Sequence, residues 1–549
     1  LLKGGGTDYT ATSGTSVVLA TGASVSDVIE IIVYDVFSVG NFFNRTDSDS
    51  RYVRHDSGTL GTDNFIAGKN AGDAIASGGN ENTLIGNEAG TAITTGDGNV
   101  AVGFEALKTE DAHGRNTAVG YQALKVLDAG ANGFNTALGY QAGVSLNTGT
   151  VNTLIGHQAG DALTTGNNNV AIGHEALGGE VQGDQNVAIG VGALQAQSNS
   201  SDTDVKNTAV GYNAGLSITT GVENTAIGHG ALDANTTGQE ITAVGVDAAG
   251  ALNITNSGSP EICVVGFEAG KSITDGGALT LIGHKAGKSI TGAVGVTIVG
   301  SGSGPDLTGS DNTFVGTQSG FTETSGTDNT LIGHDAGRTQ NGGNGNTIVG
   351  SHAGDAVTTG DNNSILGKGA GASLQSGSTN LMLGFDSGTS SAPSGAIVSG
   401  GGVVCLGDDN ITALFCADTS ISSSDSRDKA DITDFNAGLD WIKDLRPVTY
   451  KWDKRTWYGT EEQPYGTPDG SKKESKVHIG FVAQEVLEIE KAHGFADSAD
   501  TMLTCNLTED GQRYGMKYER LVPVLVNAIK ELSAKNDALE ARIKKLEDG

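Results

Sequence analysis

Asn82-Thr-Leu-Ile-Gly86 is the stretch that decides the fold, because near-copies of it recur throughout residues 64–388. The motif Asn-x-x-x-Gly, with apolar residues replacing Asn in a few copies, occurs nineteen times, mostly 17 residues apart. A fixed period of this kind is the signature of an architecture in which each unit stacks on its neighbours. We therefore predict an elongated shaft and not a globule around one central pocket.

Each repeat reads as two short strands and two turns. The triplet between Asn and Gly is rich in Val, Ile, Leu, Thr and Ala, as pleated half-buried surfaces prefer. The Gly suits a turn, and a second apolar position precedes a Thr-x-Gly turn, as in Ala92-Ile-Thr-Thr-Gly96. Stacked copies are expected to form parallel ladders with small apolar residues inside, a mainly β shaft of about 19 rungs. Each motif Asn is predicted to hydrogen-bond a turn.

Histidine directly follows the motif Gly in several repeats, and stacked imidazoles could in principle bind a metal. These residues are His157, His174, His229, His284 and His334. The sequence has no His-x-His pair and no Cys/His cluster, so the interpretation is turn packing, with no metal site. No cofactor is expected.

The chain is acidic, with a formal net charge of −31, and the charge is uneven. Residues 425–549 hold 19 Lys+Arg and 24 Asp+Glu, which leaves 14 (33 − 19) and 40 (64 − 24) for residues 1–424. A body with a charge of −26 will not neutralise phosphates, so nucleic acid is not an expected partner. No 18-residue apolar run occurs, so no membrane insertion is expected. Cys263, Cys405, Cys416 and Cys505 are predicted to be free buried thiols of a protein made in a reducing cytoplasm.

The composition divides the chain into four parts. Residues 1–60 read as a β module or neck, 61–390 as the repeat shaft, 391–424 as a distal β tip and 425–549 as a separate C-terminal domain. All three Trp residues lie in the last part, where Gly falls and Lys and Glu rise. The chain begins with Leu1 and has no signal peptide, so we expect an upstream anchoring part.

The shaft motif Asn-[Thr/Val]-[Ala/Leu]-[Val/Ile]-Gly-x-x-Ala resembles the repeat of trimeric autotransporter adhesin heads, and comparable repeats occur in phage tail fibres. The resemblance covers about residues 60–390 and implies a trimeric parallel β-roll. The 17-residue spacing departs a little from the shorter adhesin repeat, so strand lengths are expected to differ.

The C-terminal part resembles the intramolecular chaperone, auto-processing domain at the end of phage tailspikes and tail fibres, including endosialidases. Three stretches carry the resemblance in the correct order: Leu445-Arg-Pro-Val-Thr-Tyr450, Ile479-Gly-Phe-Val-Ala-Gln-Glu-Val486 and Tyr518-Glu-Arg-Leu521. The resemblance implies an α+β domain that assembles three chains and then cuts itself off.

The family's cleavage motif, Ser-Asp-x-x-x-Lys, matches Ser424, Asp425 and Lys429, with Arg427 between them. A Ser hydroxyl needs a base to take its proton, and a Lys can act as that base when burial or neighbouring cations lower its pKa. The predicted cut is Ser424–Asp425, with Ser423–Ser424 as the alternative. One chain would make one cut, so no catalysis on an outside substrate is expected. Without the resemblance, the stretch would read as a solvated linker.

The C-terminus carries a strict heptad pattern, which predicts a coiled-coil helix. Its seam consists of Leu525, Ile529, Leu532, Asn536, Leu539, Ile543 and Leu546. The alternative is an ordinary helix that packs on its own core. Ile and Leu at these places favour two strands in an isolated coil, whereas the family resemblance implies a homotrimer.

The leading functional hypothesis is a homotrimeric phage tail fibre of the virion, synthesised in the host cytoplasm. Its expected partners are a host bacterial surface glycan or outer-membrane receptor, and phage tail or baseplate proteins on the N-terminal side. The alternatives are a bacterial trimeric surface adhesin and a glycan-degrading tailspike. Two longer repeats, with extra residues around 195–206 and 253–261, are expected to bulge as candidate receptor contacts, as is the distal tip.

Overall fold

The computed structural model describes strands β1 (Tyr9–Ser13), β2 (Ser16–Leu19) and β3 (Val53–Ser57), and residues 61–549 apart from 202, 255–259, 412–425, 461–462 and 509–510. Strands β1 and β2 pair antiparallel, and β3 pairs antiparallel with β4 (Thr62–Ala67). The predicted strand at 16–19 is confirmed. The one predicted at 27–34 lies outside the described residues.

The shaft is a parallel β-solenoid of about 18 turns, as the repeat predicts. From β5 to β22, each strand pairs in parallel with the strand before it and the strand after it. The strands that follow β4 are β5 (Thr83–Ile85), β6 (Val100–Val102), β7 (Thr117–Val119), β8 (Thr136–Leu138), β9 (Thr153–Ile155), β10 (Val170–Ile172), β11 (Val187–Ile189), β12 (Thr208–Val210), β13 (Thr225–Ile227), β14 (Thr242–Val244), β15 (Ile262–Val265), β16 (Gly277–Ile282), β17 (Val294–Val299), β18 (Thr313–Val315), β19 (Thr330–Ile332), β20 (Thr347–Val349), β21 (Ser364–Leu366), β22 (Leu381–Leu383) and β23 (Val404–Leu406).

The register of the ladder places equivalent repeat positions on top of one another. In the β5–β6 pair, Leu84 lies against Ala101, and both side chains are fully buried. The residues on either side of this central position point outward and stay half-buried or exposed. The core is therefore a column of small and branched apolar side chains, and the outer strand face keeps a stripe of Thr, Val, Ile and Leu at the surface.

Among the described residues, the far side of the turns holds no second strand, so the prediction of two strands per repeat is wrong in that detail. Neighbouring turns are instead joined there by single backbone hydrogen bonds, such as Gly90 N to Ala106 O at 2.9 Å and Ala92 N to Lys108 O at 3.1 Å. The second apolar position of the repeat, Ile93 in this turn, is fully buried beneath them. The backbone there bends too sharply for a ladder but still satisfies its polar groups.

The motif Gly is required by the close stacking of turns. Gly86 has a φ of +133°, and a Cβ added there would lie 2.4 Å from the carbonyl oxygen of Gly103 in the next turn. No side chain fits at that distance, and L-residues rarely adopt that φ. The same close approach recurs at the other motif glycines.

The motif asparagines form a buried ladder, which confirms their predicted role. Asn169 donates from Nδ2 to Gly183 O at 3.0 Å, and its Oδ1 accepts from the backbone N–H of Asn186 at 2.9 Å. Four successive repeats place Ile241, Ile262, Leu279 or Val296 at this position instead. Strands β16 and β17 lie in that stretch and extend to six residues. There, ladder bonds such as Leu279 N to Glu261 O at 3.1 Å replace the side-chain bonds.

The first longer repeat does not simply bulge outward as expected. Gln197 is fully buried, and its Nε2 donates to Glu180 Oε2 at 2.8 Å. Asn199 donates to the same oxygen at 3.0 Å. Part of the inserted segment therefore completes the hydrogen bonding of a buried carboxylate, because an unpaired charge inside the shaft would be costly. The second segment includes residues 255–259, which lie outside the described residues.

The C-terminal module is α+β, as predicted. Its helices and strands are α1 (Leu439–Asp444), β24 (Val448–Tyr450), β25 (His478–Gly480), α2 (Ala483–Ala492), β26 (Cys505–Leu507), β27 (Tyr514–Met516) and α3 (Leu521–Glu547), with 3₁₀ turns at Ser426–Asp428, Arg455–Tyr458, Ala499–Thr501 and Tyr518–Arg520. Two antiparallel pairs form, β24 with β25 and β26 with β27. The long terminal helix is confirmed by α3. Within the described part of the chain, no helix combines the length and apolar character needed to cross a bilayer.

Candidate functional site

The predicted processing motif straddles the limit of the described residues. Ser424 and Asp425 lie outside them, so the distance between Ser424 and Lys429 is not described. Lys429 follows the 3₁₀ turn Ser426–Asp428, and its backbone N–H contacts Ser426 O at 3.4 Å. The Lys429 side chain is exposed in the single chain. Burial of this amine therefore requires groups beyond those that pack around it here.

The end of the shaft contacts the C-terminal module through Asp409, a residue that the sequence did not single out. Asp409 follows β23 and is 9% exposed. Its carboxylate accepts from Arg513 Nη1 at 3.1 Å, lies 3.1 Å from Arg513 Nη2, and accepts from Thr456 Oγ1 at 2.6 Å. This is the two-pronged guanidinium–carboxylate geometry that makes strong, directional pairs. We call the Asp409–Thr456–Arg513 contact the tip clasp.

Backbone carbonyls of the shaft extend the tip clasp. Arg513 also donates to Ala392 O at 2.6 Å and to Ser390 O at 2.5 Å, and Lys454 Nζ donates to Asp409 O at 2.7 Å. Both cations lie over aromatic rings of the C-terminal module, with Arg513 5.4 Å from the Tyr465 ring centre. Desolvation strengthens such contacts. No sequence signal could find this clasp, since Arg513 is 104 residues from Asp409.

A second buried carboxylate organises the interior of the C-terminal module. Glu490, on α2, is fully buried and accepts from the backbone N–H groups of Leu503, Thr504 and Cys505 at 3.0, 2.5 and 3.0 Å. It thereby fixes the start of β26. Burial, with Glu490 close by, raises the pKa of the Cys505 thiol to about 12. This thiol is therefore protonated and unreactive at neutral pH.

The thiol prediction is confirmed for two of the four cysteines. Cys405 and Cys505 are free and buried, whereas Cys263 is free but half-exposed on the outer face of its strand. Cys416 lies outside the described residues.

The heptad seam of α3 stays exposed in the single chain. The helix buries Leu521, Val524 and Ala528 against its own module. The apolar seam residues remain 43–75% exposed, namely Leu525, Ile529, Leu532, Leu539, Ile543 and Leu546. Asn536 is also exposed and donates to Glu540 Oε1 at 2.8 Å. The alternative of a core-packing helix therefore applies only to the first two turns, because the seam itself has no cover from the described part of its own chain.

The rings after the motif Gly stack along the shaft, as the turn-packing interpretation predicts. Tyr140, His157 and His174 form a column with ring centres 5.0 and 4.8 Å apart. In addition, the fold brings together two groups of side chains that could hold a metal ion, and of their members only His334 was considered from the sequence. They are His334 with Asp335 and His352, and Glu110 with Asp111, His113 and Asp128. The sequence shows no Cys/His cluster because His334 and His352 lie in different turns and are not close along the chain.

Comparison with known proteins gives one match. The family model described as the chaperone of endosialidase matches residues 424–495, which is 72 of the 549 residues (495 − 424 + 1). The match begins at Ser424 and ends just after α2. Neither the curated proteins nor the solved structures gave a match. A C-terminal segment that matches this family model, beyond a parallel β-solenoid shaft, fits a tail-fibre-like or endosialidase-like protein.

Proposed function

We propose that this chain is a homotrimeric phage tail fibre that attaches the virion to the surface of its bacterial host. The observation that carries the proposal is the match to the chaperone of endosialidase directly after a long β-solenoid shaft. In this function the shaft is the receptor-binding adhesin. The C-terminal module brings three chains together and is then released from its covalent link to the shaft by one self-cleavage beside Ser424.

Two exposed apolar surfaces support assembly into a trimer. The α3 seam presents six large aliphatic side chains to solvent, a surface that helices of other chains would cover. The outer strand face of the shaft adds a stripe of half-exposed aliphatics along the ladder, for example Ile227, Ile282 and Ile332. Contiguous apolar surface of this extent is typical of an interface.

The self-cleavage needs only Ser424, Lys429 and water. For the Ser424–Asp425 cut, the Ser424 hydroxyl attacks the Ser424 carbonyl carbon of a neighbouring chain in the trimer, because attack on its own carbonyl would close a strained four-membered ring. For the alternative cut, it attacks the Ser423 carbonyl of its own chain. In both cases the Lys429 amine takes the hydroxyl proton. The proton then passes to the leaving amine, which breaks the peptide bond and leaves an ester on Ser424. Water hydrolyses this ester and restores the hydroxyl. Because Lys429 is exposed in the single chain, packing of the three chains would supply the burial that lowers its pKa, so that the cut follows assembly.

The test is the mass of the expressed full chain beside the variants Ser424→Ala and Lys429→Ala. Ser426→Ala, which removes a neighbouring hydroxyl, is the matched control. We expect wild type and control to lose a C-terminal fragment of 125 residues (549 − 425 + 1), and both motif variants to stay at 55.5 kDa. A fragment of 126 residues would place the cut at Ser423–Ser424. Loss of the fragment from all four proteins, or from none, would contradict the Ser/Lys mechanism.

Attachment is tested separately with the purified, processed shaft. We expect it to bind host bacteria and to compete with the virion for adsorption. The receptor is proposed to be a surface glycan or an outer-membrane protein, and the phage tail or baseplate is proposed to hold the N-terminal side. Glycan degradation on binding would favour the tailspike alternative, whereas failure to compete with the virion would contradict the adhesin function.

A further inference from the structure

Two imidazoles and a carboxylate converge at one step of the shaft. His334 and Asp335 follow Gly333, and His352 occupies the position of Asp335 in the next turn. The Nδ1 atoms of His334 and His352 lie 3.3 and 3.5 Å from Asp335 Oδ2, and the three candidate ligand atoms lie within 4.8 Å of one another. We propose that His334, Asp335 and His352 bind a divalent transition-metal ion of the Zn²⁺ type.

The distances suit tetrahedral coordination. Bonds of about 2.0–2.1 Å from zinc to nitrogen and oxygen place neighbouring ligand atoms roughly 3.3–3.4 Å apart. Two of the three ligand–ligand edges already have this length. The imidazole side chains are about half exposed, 53% for His334 and 47% for His352. They can therefore rotate slightly to close the third edge and take up an ion from solvent.

The buried carboxylate is an independent sign of a ligand. Asp335 is 7% exposed, and its Oδ1 accepts no hydrogen bond from any described residue. The only permanently charged cation described beside it is Arg338, whose Nε lies 3.7 Å from Oδ1, beyond hydrogen-bond distance. An under-satisfied buried carboxylate is costly. A metal ion bound beside it would supply the missing positive charge.

The backbone holds the three residues in place without a ligand. Asp335 N donates to Thr317 O at 3.0 Å, and His352 N donates to His334 O at 2.8 Å. Asp335 and His352 share a left-handed conformation, with φ values of 56° and 55°. The site is thus preformed by two stacked turns, which lowers the cost of organising it on binding.

Ring orientation distinguishes this pair from the other histidines of the shaft. His157 and His174 stack face to face, with ring planes 8° apart. His334 and His352 meet edge-on at 71°, with both Nδ1 atoms directed at the same carboxylate oxygen. The stacked pair is therefore a natural control, since it lacks a carboxylate shared in this way.

The donor set selects the class of metal. Two imidazoles and one carboxylate suit Zn²⁺, Co²⁺, Ni²⁺ or Cu²⁺, whereas Mg²⁺ and Ca²⁺ prefer oxygen ligands alone. Three protein ligands leave a fourth position for water. Since the ligands come from two consecutive turns, the ion would tie these turns together and stabilise the folded shaft over the unfolded chain.

The test is zinc retention by the full-length protein, stripped with EDTA and dialysed against micromolar Zn²⁺. The variants are His334→Ala/His352→Ala and the matched control His157→Ala/His174→Ala, with circular dichroism to verify the fold. We expect the first variant to hold one zinc ion fewer per chain than wild type, and the control to equal wild type. The Glu110 cluster is untouched in all three, so any ion bound there cancels. Equal zinc content in wild type and the His334/His352 variant would overturn the proposal.

Asp335→Asn provides a second test if the double variant folds poorly, because Asn tolerates the left-handed backbone conformation of this position. Loss of a hydrogen-bond partner of a metal ligand lowers metal affinity by about 10–100-fold. Loss of a residue that binds the metal directly should lower the affinity at least as much. We expect a fall of that size or greater in Zn²⁺ affinity by calorimetry, and loss of the tetrahedral Co²⁺ absorption. An unchanged affinity would refute the role of Asp335 as a ligand.

Discussion

At the scale of single residues, the shaft depends on polar atoms that are buried but paired. A motif Asn such as Asn169 joins its own turn to the next through one side-chain donor and one side-chain acceptor. A buried Asn can make both bonds because its short side chain carries an N–H donor and a carbonyl acceptor in one amide group. In the repeats of the longer strands β15, β16 and β17, an aliphatic residue replaces the motif Asn. The requirement is therefore that the backbone groups of the turn are hydrogen-bonded, and an Asn side chain is one of two ways to meet it.

Removal of one rung of the Asn ladder should be costly. Asn169→Ala would strand the Gly183 carbonyl and the Asn186 N–H inside the shaft. At about 1–3 kcal/mol for each unsatisfied group, we expect a loss of roughly 2–6 kcal/mol in the free energy of unfolding. Urea denaturation measures it, with the exposed Asn147→Ala as control. Equal losses in the two variants would mean that the ladder does not stabilise the shaft.

Glu105 gives the shaft a dependence on acid. Hydrogen bonds from Lys108, Lys125 and Gln122 lower the pKa of this carboxyl from its ordinary 4.5 to about 2. Because the folded-state pKa is depressed, the stabilisation is complete above pH 4.5 and is lost as the pH falls from 4.5 through 2. We expect Glu105→Gln to lower the melting temperature at pH 6 and to match wild type near pH 2.

The control for this pH prediction is Glu240→Gln, which changes an exposed glutamate of the same shaft. Its difference from wild type should stay small at every pH. A Glu105→Gln difference that stays constant from pH 6 to pH 2 would contradict the assignment of the depressed pKa to Glu105.

At the scale of elements, α3 has one buried face and one exposed face. One short face packs on its own module, and the seam beyond it stays in solvent. A strand of the shaft divides its residues in the same way, with the centre buried and the flanks outward. In the described part of the single chain, both elements therefore leave one apolar face without cover.

The seam gives a direct prediction about assembly. Leu532→Asp places a charge at the centre of the seam, where it would have to be buried without a partner. We expect the wild-type chain to have the mass of three chains by light scattering, and the Leu532→Asp variant to shift to monomer. Ala534→Asp, off the seam on the same helix, should stay trimeric. A trimeric Leu532→Asp variant would show that α3 does not drive association.

At the scale of the whole molecule, the tip clasp joins the shaft to the C-terminal module. The shaft is the permanent part in the proposed function, and the C-terminal module is the disposable one. The contacts between the two parts centre on Asp409 and involve Arg513, Thr456 and Lys454. Cleavage beside Ser424 would cut the covalent link but leave these contacts in place.

We therefore expect the cut C-terminal fragment to remain bound to the shaft and to elute with it in gel filtration. Asp409→Asn, which removes the charge that Arg513 pairs with, should release the fragment. The control is Asp408→Asn, because the Asp408 carboxylate contacts Asn410 within its own loop, at 2.6 and 3.0 Å. Co-elution in both variants would mean that the clasp does not retain the fragment.

The sequence by itself determined most features that depend on neighbours in the chain or on the repeat, although not the number of strands in each turn. The 17-residue period, the Gly at each turn, the Asn ladder and the heptad of α3 follow from local geometry repeated many times, so they can be predicted from the letters. The chaperone segment was recognisable for a related reason, since its motifs keep their order along the chain.

Only the tertiary structure decided which distant residues meet. The Asp409–Arg513 pair spans 104 residues, and no local pattern predicts it. His334 and His352 are one turn and one position apart, and they converge on Asp335 because of how two turns stack. Gln197 turned inward and not outward because a buried carboxylate, Glu180, needed a donor. Such contacts are set by burial and charge in three dimensions, which a one-dimensional period does not contain.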